Sequence, residues 1–133
     1  MMNIGVALVD DNPVYRHALV ELLKSHGAFD IAVAAAAFPE RVDGVVDEEP
    51  DLILIDESVF WDLTEEKRRG FLKYFADIPM LVMGLDPPAG LECYGAIHPR
   101  IRFLGKESGG LQLVQRLLEM ASHIDVQGVD GEG

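Results

Sequence analysis

Three places in this 133-residue chain set charge at the end of an apolar run. Asp10 and Asp11 follow IGVALV at 4–9, Asp56 follows LILI at 52–55, and Lys106 follows IRFLG at 101–105. Two adjacent carboxylates at the end of a buried segment repel each other and lose hydration, so a compensating charge is expected. A cation meets that need; a surface turn that tolerates two acids is the plain alternative. Oxygen-rich acidic clusters suit Mg2+, which binds through one or two carboxylates and keeps waters for other ligands. Such an ion would also screen a phosphoryl group approaching a third carboxylate, while a lysine pairs with the phosphoryl oxygens. An aspartate is ionised at neutral pH and needs no base to act as a nucleophile.

These groups can meet only if the chain brings the ends of its apolar runs together. The runs at 4–9, 31–37, 52–55, 80–83 and 101–104 read as strands, and helical patterns separate them. Asn12 can cap a first helix with Pro13 at its first position, Tyr15, Leu19, Leu22 and Leu23 on its apolar face, and Gly27 as its stop. A weak helix from Pro39 carries Val42, Val45 and Val46. A third, capped by Asp62 or Thr64, carries Phe71, Leu72 and Phe75. Residues 87–99 hold at most a short helix, and a last helix carries Leu111, Val114, Leu117, Leu118 and Ala121. From Asp125 the chain lacks apolar periodicity and reads as a disordered tail or linker stub, which gives a folded domain over 1–124 and a tail over 125–133.

Five strands alternating with helices predict an α/β fold, a (βα)5 doubly wound five-stranded parallel sheet of flavodoxin-like form. Ligands in such folds sit at the carboxyl ends of the strands, near the topological switch point. Asp10, Asp11, Asp56, Gly84 and Lys106 are therefore expected on one edge.

Composition narrows the partners. The formal charge is −12, from 11 basic and 23 acidic residues, which argues against direct nucleic-acid binding by this domain's own surface. No apolar run approaches the roughly 20 residues of a membrane span. The start, MMNIGVALVDD, has no basic segment and turns acidic too early for a signal peptide. The single cysteine, Cys93, excludes an intrachain disulfide and a thiolate zinc cluster, and the chain is expected in the cytoplasm.

VALVDDNP, PDLILID and RFLGK, in this order and spacing, resemble the receiver domain of two-component response regulators over residues 3–122. The resemblance implies that Asp56 is the phosphoacceptor and Asp11 a direct Mg2+ ligand, with Asp10 acting through water. It further implies that the main-chain carbonyl of Ser58 is another metal ligand and that Lys106 contacts the phosphoryl group. The partners it implies are a histidine kinase or phosphotransfer protein, with homodimerisation as a further mode. VDDNPVYRHALVELL, and Glu107-Ser108 after the lysine, look like the subclass that joins its receiver to a C-terminal LuxR-type helix-turn-helix, which implies a transcriptional effector. The chain would then be a signalling domain rather than an enzyme.

The chain departs from that pattern on the signalling side. Gly84 stands where receivers carry the Thr or Ser that bonds the phosphoryl group, and Phe103 stands at the switch aromatic. IHPRIRF lacks the usual Gly-Ala turn, and Pro87-Pro88 interrupt the start of the fourth helix. An alternative function is therefore an interaction module that works without phosphorylation. An aspartate-nucleophile phosphatase would want a second aspartate at Ser58. His17, His26, His98 and His123 have no metal-ligand spacing, and His17 and His26 read as surface or packing residues. Val59, Phe60 and Trp61 are expected to pack against the third helix, Lys67, Arg68 and Arg69 to form a solvated face, and Cys93 and Tyr94 to pack on the weak fourth helix.

Overall fold

The computed structural model describes residues 3–37, 50–85 and 91–130. Its elements are β1 (Ile4–Val9), α1 (Pro13–His26), β2 (Phe29–Ala35), β3 (Leu52–Asp56), α2 (Glu57–Asp62), α3 (Glu65–Tyr74), β4 (Met80–Gly84), β5 (Ile101–Gly105) and α4 (Gly109–Asp130). Short 3-10 turns occupy Leu91–Ala96 and Lys106–Ser108. All four strand pairings are parallel, in the order β2-β1-β3-β4-β5. The doubly wound sheet expected from the alternation is thus the one found.

Strand position explains the sequence patterns. Every residue of β3 and β4 is buried, since central strands of a parallel sheet are covered on both faces and read as unbroken apolar runs. The edge strand β2 alternates instead and begins two residues earlier than its apolar run suggested. Its register against β1 shifts between Val6 and Ala7.

Period-two alternation splits the core into two layers. Leu8, Leu52, Leu54, Leu81 and Met83 pack with Leu19 and Leu23 of α1 and with Leu113, Leu117 and Met120 of α4. Ile53, Ile55, Met80 and Val82 pack on the other side with Phe60 of α2, Phe71 and Leu72 of α3, and Tyr94. Each fully buried side chain of this size stabilises the fold by about 1.5–3 kcal/mol relative to exposure.

The helix ends obey local chemistry. Asn12 Oδ1 accepts the N–H groups of Val14 and Tyr15 at 3.0 and 3.1 Å, and Gly27 closes α1 with φ 86°. Thr64, not Asp62, caps α3, its hydroxyl accepting the Lys67 N–H at 3.2 Å. Asp62 instead ends α2, a helix the sequence pattern did not reveal: Asp56 caps it, and Leu63 interrupts the run in extended conformation.

Several expectations need correction. The structure continues α4 through Asp130, so the stretch from Asp125 read as disordered begins as helix. Extending an existing helix costs far less than starting one, so apolar periodicity is not needed there. Leu111 is 74% exposed, and Leu113 and Met120 occupy the core in its place. Cys93 is exposed although its neighbour Tyr94 is buried. Arg68 is not on a solvated face: it donates to Tyr94 Oη at 2.9 Å and to Glu65 at 3.0 Å, and its guanidinium lies 4.9 Å from the Trp61 ring centroid. The helix expected from Pro39 and the pair Pro87-Pro88 lie outside the described residues.

Candidate functional site

The site lies where the winding of the sheet reverses, between β1 and β3. Connections leave these adjacent strands toward opposite edges, which opens a crevice at their carboxyl ends. Asp10 and Asp11 follow β1 and Asp56 ends β3. One carboxylate oxygen from each lies within 4.8 Å of the other two. Two apolar strands that must pair in register therefore bring together acids remote in sequence.

Each acid has a different environment. Asp10 is buried; its Oδ1 accepts the Asn12 N–H at 2.9 Å and its main-chain oxygen accepts Arg16 Nη1 at 2.7 Å. Burial pushes its carboxyl above the usual range; the Asn12 bond opposes this, while the charges of Asp56 and Asp11 add to it. Asp11 is exposed. Asp56 is also buried, and among the described residues its Oδ1 has no partner besides the ammonium of Lys106, with which it forms an ion pair. Its Oδ2 accepts the Ser58 N–H at 3.0 Å and the Ser58 hydroxyl. Burial raises the Asp56 carboxyl, but the bonds from Lys106 and Ser58 outweigh it and leave the group below its ordinary value. Asp56 is thereby held ionised.

Lys106 reaches Asp56 from β5 by crossing the end of β4, which lies between them in the sheet. Its ammonium also lies 4.4 Å from the Tyr15 ring centroid. Burial lowers the lysine, and the surrounding acids, Asp56 first, more than restore it, so it stays protonated. Three carboxylates thus face one ammonium. An all-oxygen donor set with uncompensated negative charge fits a hard divalent cation such as Mg2+.

Among the sequence candidates, the structure brings together Asp10, Asp11, Asp56, Lys106 and Ser58. Ser58 directs its N–H to Asp56 and its hydroxyl to Asp56 and Asp11, the latter at 3.2 Å. It belongs to the first turn of α2. Phe103 lies apart, partly buried against the second core layer. Gly84 ends β4, and the space a Cβ would fill there holds the carboxylate of Glu57. Sequence reasoning missed Glu57, Arg16 and the ring of Tyr15 as parts of the site, because none carries a spacing signal. His17 and His26 are exposed, and His98 is buried with Nε2 2.8 Å from the Ile78 oxygen; none joins the acids.

The architecture is that of the receiver domains of response regulators. The signal receiver domain of an HD domain-containing protein from Pseudomonas fluorescens Pf-5 superimposes with a TM-score of 0.73 at 17% identity, over 96% of this chain and 93% of that one. The receiver domain of the response regulator NarL from Mycobacterium tuberculosis gives 0.72 at 18%, over 92% and 98%. The RcsB response regulator of Salmonella typhimurium gives 0.68 at 13%, over 96% of this chain and 68% of that one. No protein-family model matches the chain, and no curated protein matches it. Identities this low speak for the shared fold.

Proposed function

We propose that this domain is a two-component receiver that accepts a phosphoryl group on Asp56 from a histidine kinase or phosphotransfer protein. The observation that carries this reading is the buried Asp56 carboxylate, kept ionised by Lys106 and Ser58 and set within 4.8 Å of two further acids. Asp56 attacks the phosphorus of the donor; its own C–O–P bond forms as the donor's bond to phosphorus breaks, and the donor leaves with that electron pair. Lys106 keeps its proton and moves from the carboxylate to the incoming phosphoryl oxygens. Asp11 and Asp56 would hold Mg2+ directly and Asp10 through water, and the bound ion would supply positive charge against the transferring phosphoryl oxygens. The Ser58 carbonyl can join that set only if the first turn of α2 opens, since carbonyls within a helix point away from its N-terminus.

The added charge then biases a two-state element and alters dimerisation or contacts with an effector, a transcriptional one if a helix-turn-helix follows. The reading makes the chain a cytoplasmic signalling domain. Among the described residues, no helix is long and apolar enough to cross a membrane. Gly84 favours a second reading, an interaction module that works unphosphorylated, because it offers no hydroxyl to bond the phosphoryl group. Incubation with Mg2+ and acetyl phosphate separates the two. The first expects a phosphoryl adduct by mass spectrometry, absent in Asp56→Asn, and a Mg2+-dependent change in Trp61 fluorescence. No adduct and no fluorescence change refute it. Unchanged partner binding by Asp56→Asn supports the second.

A further inference from the structure

The end of β4 carries an arrangement that the acid cluster does not explain. A Cβ at position 84 would overlap Glu57 Oε2 and come 2.6 Å from Glu57 Cγ, so the glutamate side chain already fills that volume. Glu57 Oε1 accepts the N–H of Leu85 at 3.3 Å, which fixes the carboxylate at the strand end. Gly84 and Glu57 are thus a matched pair: any side chain at 84 and this position of Glu57 exclude each other.

The location matters. Asp56 pairs in register with Met83, one residue before Gly84, and Gly84 pairs with Gly105, the residue before Lys106. The Lys106–Asp56 bridge therefore passes the end of β4, where Glu57 is lodged. A phosphoryl group on Asp56 brings three charged oxygens to this edge. Glu57 withholds the Leu85 N–H from them and adds like charge beside them.

We propose that Glu57 is a built-in gate on phosphorylation, occupying the slot at Gly84 and holding the Leu85 N–H, so that Asp56 is filled readily only when Glu57 swings out. This rests on the reading of Asp56 as phosphoacceptor. The absence of a side chain at Gly84 is then what makes room for the gate. The side chain of Glu57 can leave because the groups a Cβ would meet are the outer part of a flexible glutamate rather than backbone.

The test compares wild type, Glu57→Ala, Gly84→Ala and the double variant, each checked for folding by circular dichroism. Adduct formation with acetyl phosphate and Mg2+ is followed by mass spectrometry. Glu57→Ala is expected to react at least tenfold faster than wild type. Gly84→Ala, which expels the carboxylate, should also react faster, and the double variant no faster than the quicker single one. Exchange of the Leu85 amide, read by NMR without any phosphodonor, should speed up in Glu57→Ala. Equal reaction rates for folded Glu57→Ala and wild type overturn the gate while leaving Asp56 as acceptor. A Leu85 amide indifferent to Glu57→Ala overturns it as well. An adduct in none of the four proteins refutes the phosphoacceptor reading itself, and the gate falls with it.

Discussion

Replacing Asp11 by Asn tests whether the acid cluster is a cation site loaded with repulsion. The three carboxylates have oxygens within 4.8 Å of one another. Two unit charges at that distance repel by about 0.9 kcal/mol in water and about 3.5 kcal/mol at an effective dielectric of roughly 20. Asp11 is exposed, so the lower figure governs, and it applies once for Asp10 and once for Asp56. Removing its charge also removes a comparable attraction to the Lys106 ammonium, which pairs with Asp56, so the metal-free protein should gain about 1 kcal/mol. The contact with the Ser58 hydroxyl survives, because the Asn amide oxygen still accepts. For a domain of this size the gain corresponds to a rise in Tm of roughly 3–6 °C. Mg2+ should stabilise wild type far more than the variant. With a dissociation constant of about 1 mM, 10 mM Mg2+ stabilises the native state by about 1.4 kcal/mol. Thermal melts of both proteins in EDTA and in 10 mM MgCl2, at matched ionic strength, read the two effects. The variant should start higher and lose most of the Mg2+ response. A lower Tm for Asp11→Asn in EDTA, with an undiminished Mg2+ shift, refutes the reasoning.

Other perturbations have equally definite outcomes. Leu72→Ala removes a side chain with no solvent exposure from the layer beneath α3 and should cost about 2–5 kcal/mol in urea unfolding, with the m-value unchanged. Gly27→Ala forces a left-handed backbone at φ 86° on a residue with a Cβ and should cost about 1–2 kcal/mol by the same measurement. His98 is buried with Nε2 on the Ile78 carbonyl, and burial holds its pKa below the ordinary histidine value. The unfolded chain then takes up a proton below pH of about 6.5 that the folded one refuses, so stability falls as pH drops below that point. Melts between about pH 7.5 and about pH 5, which bracket that value, should show this loss, and His98→Gln, which keeps a donor, should flatten it.

Much of this molecule is legible without coordinates because short-range rules act on short stretches. Unbroken apolar runs at LILI and MLVM announce buried central strands, and Asn12-Pro13 and Gly27 mark the ends of α1 by hydrogen-bond and backbone chemistry local to a few residues. The parallel order of the sheet then follows from alternation, and the convergence of Asp10, Asp11, Asp56 and Lys106 follows from that order. What tertiary structure alone decided is which side chains share space across the sheet. Glu57 has no motif, yet packing lodges it in the volume Gly84 leaves open. Arg68 sits in a basic run, yet Tyr94, distant in sequence, draws it out of solvent. Ser58 turns its N–H and hydroxyl toward Asp56 because a helix begins directly after the strand. Contacts of this kind depend on the register and spacing of elements far apart along the chain, and no periodicity within one element encodes them.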